Sequence, residues 1–75
     1  PADENPFKSL SERELQIMLM ITNGEKVNDI SEQLNLSPKT VNSYRYRLFA
    51  KLGISGDVEL TRLAIRYKML DAGHF

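Results

Sequence analysis

The feature of this sequence that most restricts its fold is the short connection between two predicted helices, over 27–34 and 38–52. Asn35 tolerates the left-handed backbone conformation of a tight turn, so it predicts the end of the first of these helices. Ser37 and Pro38 are residue types preferred at the N-cap and at the first position of a helix. Because so few residues join the two helices, they must cross closely and pack on each other.

The residues around this connection have the spacing of a helix-turn-helix. Ser31 is small where the two helices cross, Asn35 lies at the turn, and Val41 is apolar where the later helix packs back on the earlier one. This spacing predicts a helix-turn-helix, although any tight helical hairpin shares part of it. The remaining buried places are filled by Ile30, Leu34, Leu36 and Tyr44.

The other helix signals predict an all-α fold, a four-helix bundle with the helix-turn-helix at its centre. Ser11 and Glu14 have the spacing of a capping box, which predicts a first helix over about 11–23. A fourth helix is predicted over about 57–70, where one apolar stripe is wide enough to seal the core. That stripe consists of Leu60, Leu63, Ala64, Tyr67 and Leu70.

The chain is predicted to contain one domain with short flanking segments. A length of 75 residues allows one domain at most. Residues 1–9 are polar with two prolines and are interpreted as a linker remnant, 10–71 as the domain, and 72–75 as a C-terminal tail. The first residue is not Met and no signal-peptide pattern follows it. We therefore expect the chain to be a piece of a longer protein.

Composition argues against several classes of function. The absence of cysteine excludes disulfides and thiolate metal sites and suits a reducing compartment, so a cytoplasmic location is expected. No apolar run approaches the roughly 18 residues of a membrane span, so no membrane partner is expected. His74 is the single histidine, and no nucleophile, base and orienting group can be combined. We therefore expect that the protein is not an enzyme and that it binds no cofactor and no metal.

Positive charge is concentrated on the third predicted helix. The net charge of the chain is zero, which by itself does not favour a nucleic-acid partner. However, residues 1–36 hold seven acids and three bases, whereas 37–56 hold four bases and no acid. This segregation indicates a local basic surface. The four bases are Lys39, Arg45, Arg47 and Lys51.

A projection of the third helix at about 100° per residue separates an inner face from a polar one. Val41, Leu48 and Leu52 share the inner face, with Tyr44 at its margin. The polar face carries amide, ammonium and hydroxyl groups that can bond base edges, and arginines that can neutralise phosphates. A merely solvated face is the alternative, but the turn spacing and the segregated charge together favour DNA. The polar face consists of Lys39, Asn42, Ser43 and Tyr46, flanked by Arg47.

The stretch over about 9–70 resembles the LuxR/FixJ-type DNA-binding domain, and LSPKTVNSYRYR with GDVELTRLAIR resembles more narrowly the GacA/UvrY/SirA group of response regulators. The resemblance implies transcription regulation and an N-terminal receiver domain, absent from this fragment, that a sensor histidine kinase phosphorylates. The shared pattern comprises Leu10-Ser11, Arg13-Glu14, Gly24, Ile30, Leu34, Ser37, Thr40-Val41, Lys51-Leu52-Gly53 and Val58-Glu59.

Carried over position by position, the resemblance implies DNA contacts along the third helix. Arg45 stands where the family usually has an apolar residue, so it either reaches the DNA backbone or pairs with an acid. Tyr46 stands where a polar or basic residue is usual, so it either contacts a base or stacks or packs instead. The implied base contacts are Lys39, Asn42, Ser43 and Tyr46. The implied phosphate contacts are Thr40, Tyr44, Arg47 and the start of the second helix near Val27, and Arg45 is predicted as a further phosphate contact.

The fourth helix has a second apolar stripe opposite its core stripe, which a monomer does not need. An aligned exposed stripe indicates a partner surface. In the resembling family this helix forms a two-fold dimer, which implies a homodimer on an inverted repeat in double-stranded DNA. The second stripe consists of Val58, Ile65 and Met69, with Arg62 among them.

Two alternatives to this function stay open from the sequence. One is a helical protein–protein interaction module that uses the fourth helix without direct DNA readout. The other is a promoter-element binding domain like those of sigma factors. Leu15 and Leu19 also have two interpretations, because they leave the inward face of the first helix. They either pack in the core or contact the receiver domain.

Overall fold

The computed structural model describes residues 5–70, and this range contains four α-helices, one short 3-10 helix and no strand. The all-α prediction and the positions of the first three α-helices are confirmed. No helix in the described range has the length and apolar character needed to cross a membrane. The elements are the 3-10 helix Pro6–Ser9, α1 Glu12–Thr22, α2 Val27–Leu34, α3 Pro38–Leu52 and α4 Asp57–Arg66.

The hydrophobic core lies between α1 and α3, which pack on each other. Helix α2 packs on α3, and α4 packs on α1. Leu60 and Ala64 confirm the predicted core stripe of α4, since both are fully buried. Leu15 packs against the core, whereas Leu19 is 39% exposed, so the two residues differ in role. The fully buried apolar side chains are Ile17, Met18, Ile30, Val41, Leu48, Leu60 and Ala64.

The helix-turn-helix forms as the spacing predicts. Asn35 ends α2 with φ 56° and ψ 41°, the left-handed conformation. The N–H of Leu36 then donates to the carbonyl of Ser31 at 2.9 Å, which closes the turn. Ser31 and Val41 are both buried at the crossing of the two helices. The hydroxyl of Ser37 accepts from the N–H of Thr40 at 3.1 Å and caps α3.

Part of the predicted linker belongs to the folded domain. Residues 6–9 form the 3-10 helix, and Phe7 is only 4% exposed within the core. Its ring makes an edge contact with Tyr67, at 6.4 Å between centroids, and its N–H donates to the Asn5 side chain. Because the segment is otherwise polar and contains two prolines, its composition did not indicate that Phe7 is a core residue. The predicted tail over 72–75 lies outside the described residues.

Helix α4 ends at Arg66, four residues before the predicted end at 70. Lys68 adopts φ 62°, and the N–H groups of Lys68 and Met69 donate to the carbonyls of Ile65 and Ala64 at 3.0 and 2.8 Å. This is a Schellman motif with lysine where glycine is usual. Lysine is not a helix stop signal, so the sequence pattern extended the helix too far.

An ion pair between a buried carboxylate and a partly exposed lysine joins the start of α1 to the end of α3. The Glu14 side chain is buried and completes the predicted capping box, accepting from the N–H of Ser11 at 2.8 Å. Lys51 donates its Nζ to the same carboxylate at 2.7 Å. The bond from Lys51, and then the bond from Ser11, lower the pKa of Glu14 below its ordinary value because both favour the charged carboxylate.

We expect Glu14→Gln to weaken the acid dependence of folding stability. A lowered folded-state pKa contributes stability that is fully present above the unfolded value, about 4.3, and lost as pH falls through the folded value. Glutamine can keep the capping box but not the charge. The variant should therefore be about 1–2 kcal/mol less stable at pH 7, and this difference should shrink below about pH 4.

Urea unfolding at several pH values between about pH 2 and pH 7 measures this effect, because that range includes the ordinary carboxyl pKa of about 4. Glu12→Gln is the matched control, because Glu12 lies exposed in the same first turn of α1. It should change stability little at any pH. An unchanged pH dependence in Glu14→Gln would show that the ion pair with Lys51 contributes nothing.

Lys68→Gly should stabilise the domain by roughly 0.5–1 kcal/mol. The left-handed conformation costs a residue with a Cβ about 1 kcal/mol or more, and glycine avoids most of this cost while losing some chain entropy. Lys68→Ala is the control, because it removes the same side chain but keeps the strained backbone. Equal stabilities of the two variants in urea unfolding would contradict the strain at Lys68.

Candidate DNA-binding surface

Helix α3 has an inner face in the core and an outer face in solvent. Val41, Leu48 and Phe49 are buried and hold the helix on α1 and α2. The predicted polar residues lie together on the opposite side, as the projection indicated. Lys39, Ser43, Tyr46 and Arg47 are exposed there, and Asn42 is half-buried.

The N-terminal end of this outer face is ordered by local hydrogen bonds. The hydroxyls of Ser37 and Thr40 are 2.9 Å apart, and the Ser43 hydroxyl donates to the Lys39 carbonyl at 3.1 Å. Within residues 5–70, the Lys39 ammonium and the Asn42 amide have no hydrogen-bond partner. The two side chains best able to bond a base edge are therefore available to a ligand.

Arg45 lies on the flank of α3 that faces α4, and it pairs with an acid. Its Nε donates to Oδ1 of Asp57 at 3.0 Å, and its Nη2 contacts Oδ2 of the same carboxylate. The guanidinium also lies 5.7 Å from the centre of the Phe49 ring. Arg45 was predicted among the phosphate contacts, with pairing to an acid as the alternative. In the structure it forms an ion pair with Asp57.

The two tyrosines of α3 differ in exposure. Tyr44 is half-buried against the core, and the Arg47 guanidinium lies 5.1 Å from the centre of its ring. Tyr46 is 66% exposed and makes only an edge contact with Phe49, at 6.4 Å between centroids. The Tyr46 ring is thus supported at one edge and open to a ligand over most of its surface.

Sequence reasoning missed two residues that support this surface. Phe49 contacts both Arg45 and Tyr46, and it lies four and three positions after them, the spacing of neighbours on a helix. Asp57 is the partner of Arg45. The departure of Arg45 from the family pattern was a signal that some acid pairs with it, but the sequence did not indicate which one.

Two of the four bases on α3 are neutralised within the domain. Lys51 pairs with Glu14, and Arg45 pairs with Asp57. Among the described residues, no other ion pair is formed. Within residues 5–70, the bases of α3 without an ion-pair partner are Lys39 and Arg47, so their charges are the ones available to a ligand.

Helix α4 presents a shallow, mostly apolar groove on its outer side. Val58 is 67% exposed, and Ile65 is half-buried. Met69 was predicted to continue this stripe, but it follows the end of α4 and packs against the core, so that part of the prediction is wrong. The groove is lined by Asp57, Val58, Thr61, Arg62 and Ile65.

An all-α domain in which a central helix-turn-helix presents a basic, amide- and hydroxyl-bearing helix face has the architecture of a DNA-binding domain. The chain belongs to the luxR family of bacterial regulatory proteins, whose family model matches residues 8–64. This is a family of DNA-binding transcription regulators, as the sequence resemblance implied.

Individual relatives agree with the narrower resemblance. Response regulator UvrY of Escherichia coli (strain K12) is 78% identical over 69 residues, which are 92% of this chain and 32% of that protein. Response regulator GacA of Pseudomonas protegens is 62% identical over 72 residues, which are 96% of this chain and 34% of that protein. The chain therefore spans about a third of the length of these relatives. No solved structure matches the chain significantly.

Proposed function

We propose that this chain is the C-terminal output domain of a two-component response regulator, and that it binds specific sites in double-stranded DNA with α3 in the major groove. The observation that carries the proposal is the outer face of α3. Its polar side chains share one exposed side of a helix whose other side is fixed in the core. Such a helix fits the width of the major groove, about 12 Å.

Each side chain of the outer face suits a particular contact. The Asn42 amide can bond adenine in a bidentate manner, and the Lys39 ammonium can donate to guanine. The hydroxyls of Ser43 and Tyr46 can bond either bases or phosphates. Because Tyr46 is open over most of its ring, it can also pack on a thymine methyl group. These four residues are the proposed base contacts.

Phosphate contacts are proposed for the residues that border the outer face. Arg47 forms no ion pair within residues 5–70, and the Tyr44 ring lies beside its guanidinium. Thr40 lies in the first turn of α3, where hydroxyl and backbone N–H groups commonly meet phosphates. The proposed phosphate contacts are Thr40, Tyr44 and Arg47, and Arg45 is left out because Asp57 engages it.

We propose that two copies associate through the groove of α4 and occupy an inverted repeat. An isologous contact places the same residues of both copies against each other, and exposed Val58 and half-buried Ile65 provide the apolar area. The groove is short, so the isolated domain should dimerise weakly, and DNA should complete the dimer. Arg62 borders the same surface.

The proposal extends to a receiver domain that precedes this domain in the intact protein. The two relatives described above are response regulators, and each is about three times as long as the matched region. We propose that a sensor histidine kinase phosphorylates the receiver in the cytoplasm and that this controls access to DNA. Leu19, exposed on α1, stays a predicted contact for the receiver.

A helical protein–protein interaction module is the alternative that the α4 groove favours, because Val58 is exposed and apolar. In that case α3 would be a solvated face without DNA readout. Selection of bound duplexes from a random DNA pool distinguishes the two functions. Recovery of an inverted-repeat motif supports the proposal, and recovery of no motif supports the interaction module.

We expect Asn42→Ala to weaken binding to the selected site far more than binding to random duplex DNA. A good bidentate base contact contributes about 1–3 kcal/mol of discrimination. Arg47→Ala should instead weaken binding to all sequences alike and reduce the slope of log K against log salt by about one. Titrations at several salt concentrations measure both effects.

Gln16→Ala is the matched control for the amide, because Gln16 is exposed on α1 rather than on the proposed surface. It should leave both affinities unchanged. If Asn42→Ala bound the selected site as tightly as the wild-type domain, the placement of the outer face of α3 in the groove would be wrong.

Ile65→Asp should abolish cooperative occupancy of the two half-sites while a single half-site is still bound weakly. The aspartate would replace the apolar area that the contact buries with a charge that must lose water when the two copies associate. Thr61→Ser, a mild change in the same groove, is the control and should keep the cooperativity. Equal cooperativity in Ile65→Asp and wild type on a full inverted repeat would remove α4 from the dimer interface.

A further inference from the structure

Helices α3 and α4 are connected mainly through one pair of side chains. Helix α4 packs chiefly on α1, and α3 packs on α1 and α2. Within residues 5–70, the hydrogen bonds between side chains of α3 and α4 all join Arg45 to Asp57. Beside the packing of both helices on α1, this pair is therefore the direct polar link between the base-contacting helix and the groove of α4.

The geometry of the pair is restrictive. The carboxylate of Asp57 receives two donors from one planar guanidinium, and such a forked contact fixes both distance and orientation. The Phe49 ring supports the same guanidinium from the side. The side chains are 26% and 44% exposed, so the pair is partly shielded from solvent.

Asp57 belongs to both functional surfaces. It is the first residue of α4, and it lines the groove together with Val58 and Ile65. It also binds Arg45 on the flank of α3. Arg45 lies one residue before Tyr46 and three residues after Asn42. A change in this contact therefore acts on the groove and on the flank of the outer face at the same time.

We propose that Arg45 and Asp57 are positioning residues that fix the angle between α3 and α4, and thereby the half-site spacing that a dimer accepts. This inference rests on the proposed function, in which α3 contacts bases and α4 associates. In a symmetric dimer the pair occurs twice, so a small error in angle is doubled between the two outer faces. One base pair of extra spacing moves a half-site by about 3.4 Å.

The experiment measures the dissociation constant for the selected inverted repeat and for repeats with one base pair added or removed between the half-sites. Wild type should prefer one spacing. Asp57→Asn keeps the shape of the side chain but replaces one acceptor oxygen with a donor that opposes the guanidinium. Since exposed pairs contribute modestly and the pair occurs twice, the spacing preference should fall about three- to tenfold.

Arg45→Met is the second variant, because it removes the fork but keeps an apolar contact with Phe49. It should reduce the spacing preference as much as Asp57→Asn, and the double variant should reduce it no further. Glu59→Gln is the matched control. It removes the same charge from the same turn of α4, where Glu59 bonds Ser55 rather than Arg45, and it should keep the wild-type preference.

Two results would overturn the inference while leaving the proposed function intact. One is a wild-type spacing preference that both variants retain. The other is a loss of half-site affinity in Arg45→Met alone, which would make Arg45 a direct phosphate contact. A wild-type domain that binds no duplex specifically would overturn the proposed function together with the inference, and is thereby told apart from the first two results.

Discussion

Each of the four described α-helices is followed by a residue with positive φ, and the packing of the domain depends on these left-handed turns. Helices of 8 to 15 residues are marginal in isolation, so they must be returned at once to a shared core. A left-handed residue lets the next N–H bond the carbonyl five positions earlier and reverses the chain. The four residues are Gly24, Asn35, Gly53 and Lys68.

The same turns decide which side chains enter the core and which face of α3 stays outside. Leu36, Ile54 and Met69 each follow a left-handed residue directly, and each packs against the core. After the turn at Asn35, Val41 is carried onto α2 and fully buried. Because the inner side of α3 is held in this way, its outer side can be polar at no cost to the core. Under the proposed function, stability and DNA binding therefore use opposite faces of one helix.

The sequence was sufficient to predict the structure where a residue type favours the backbone conformation that its position requires. Asn35 is such a case, because asparagine tolerates the left-handed turn that it adopts. Lys68 adopts the same conformation with no local preference for it, since tertiary packing of the next residues overrides propensity. Phe7 shows the converse, a core residue in a segment of linker-like composition. Arg45 was recognised as unusual, but its partner Asp57 could be found only from the fold.

Under the proposed function, the charge balance makes a single copy poorly suited to tight DNA binding. Lys51 forms an ion pair with Glu14, and Arg45 forms one with Asp57, so two of the four bases on α3 contribute to the fold. Each neutralised phosphate contributes about 0.9 to the salt dependence of binding, and a chain of zero net charge adds little long-range attraction. A second copy doubles both the phosphate and the base contacts. The positive charges of α3 left for DNA are those of Lys39 and Arg47, and under the proposed function a symmetric dimer supplies four.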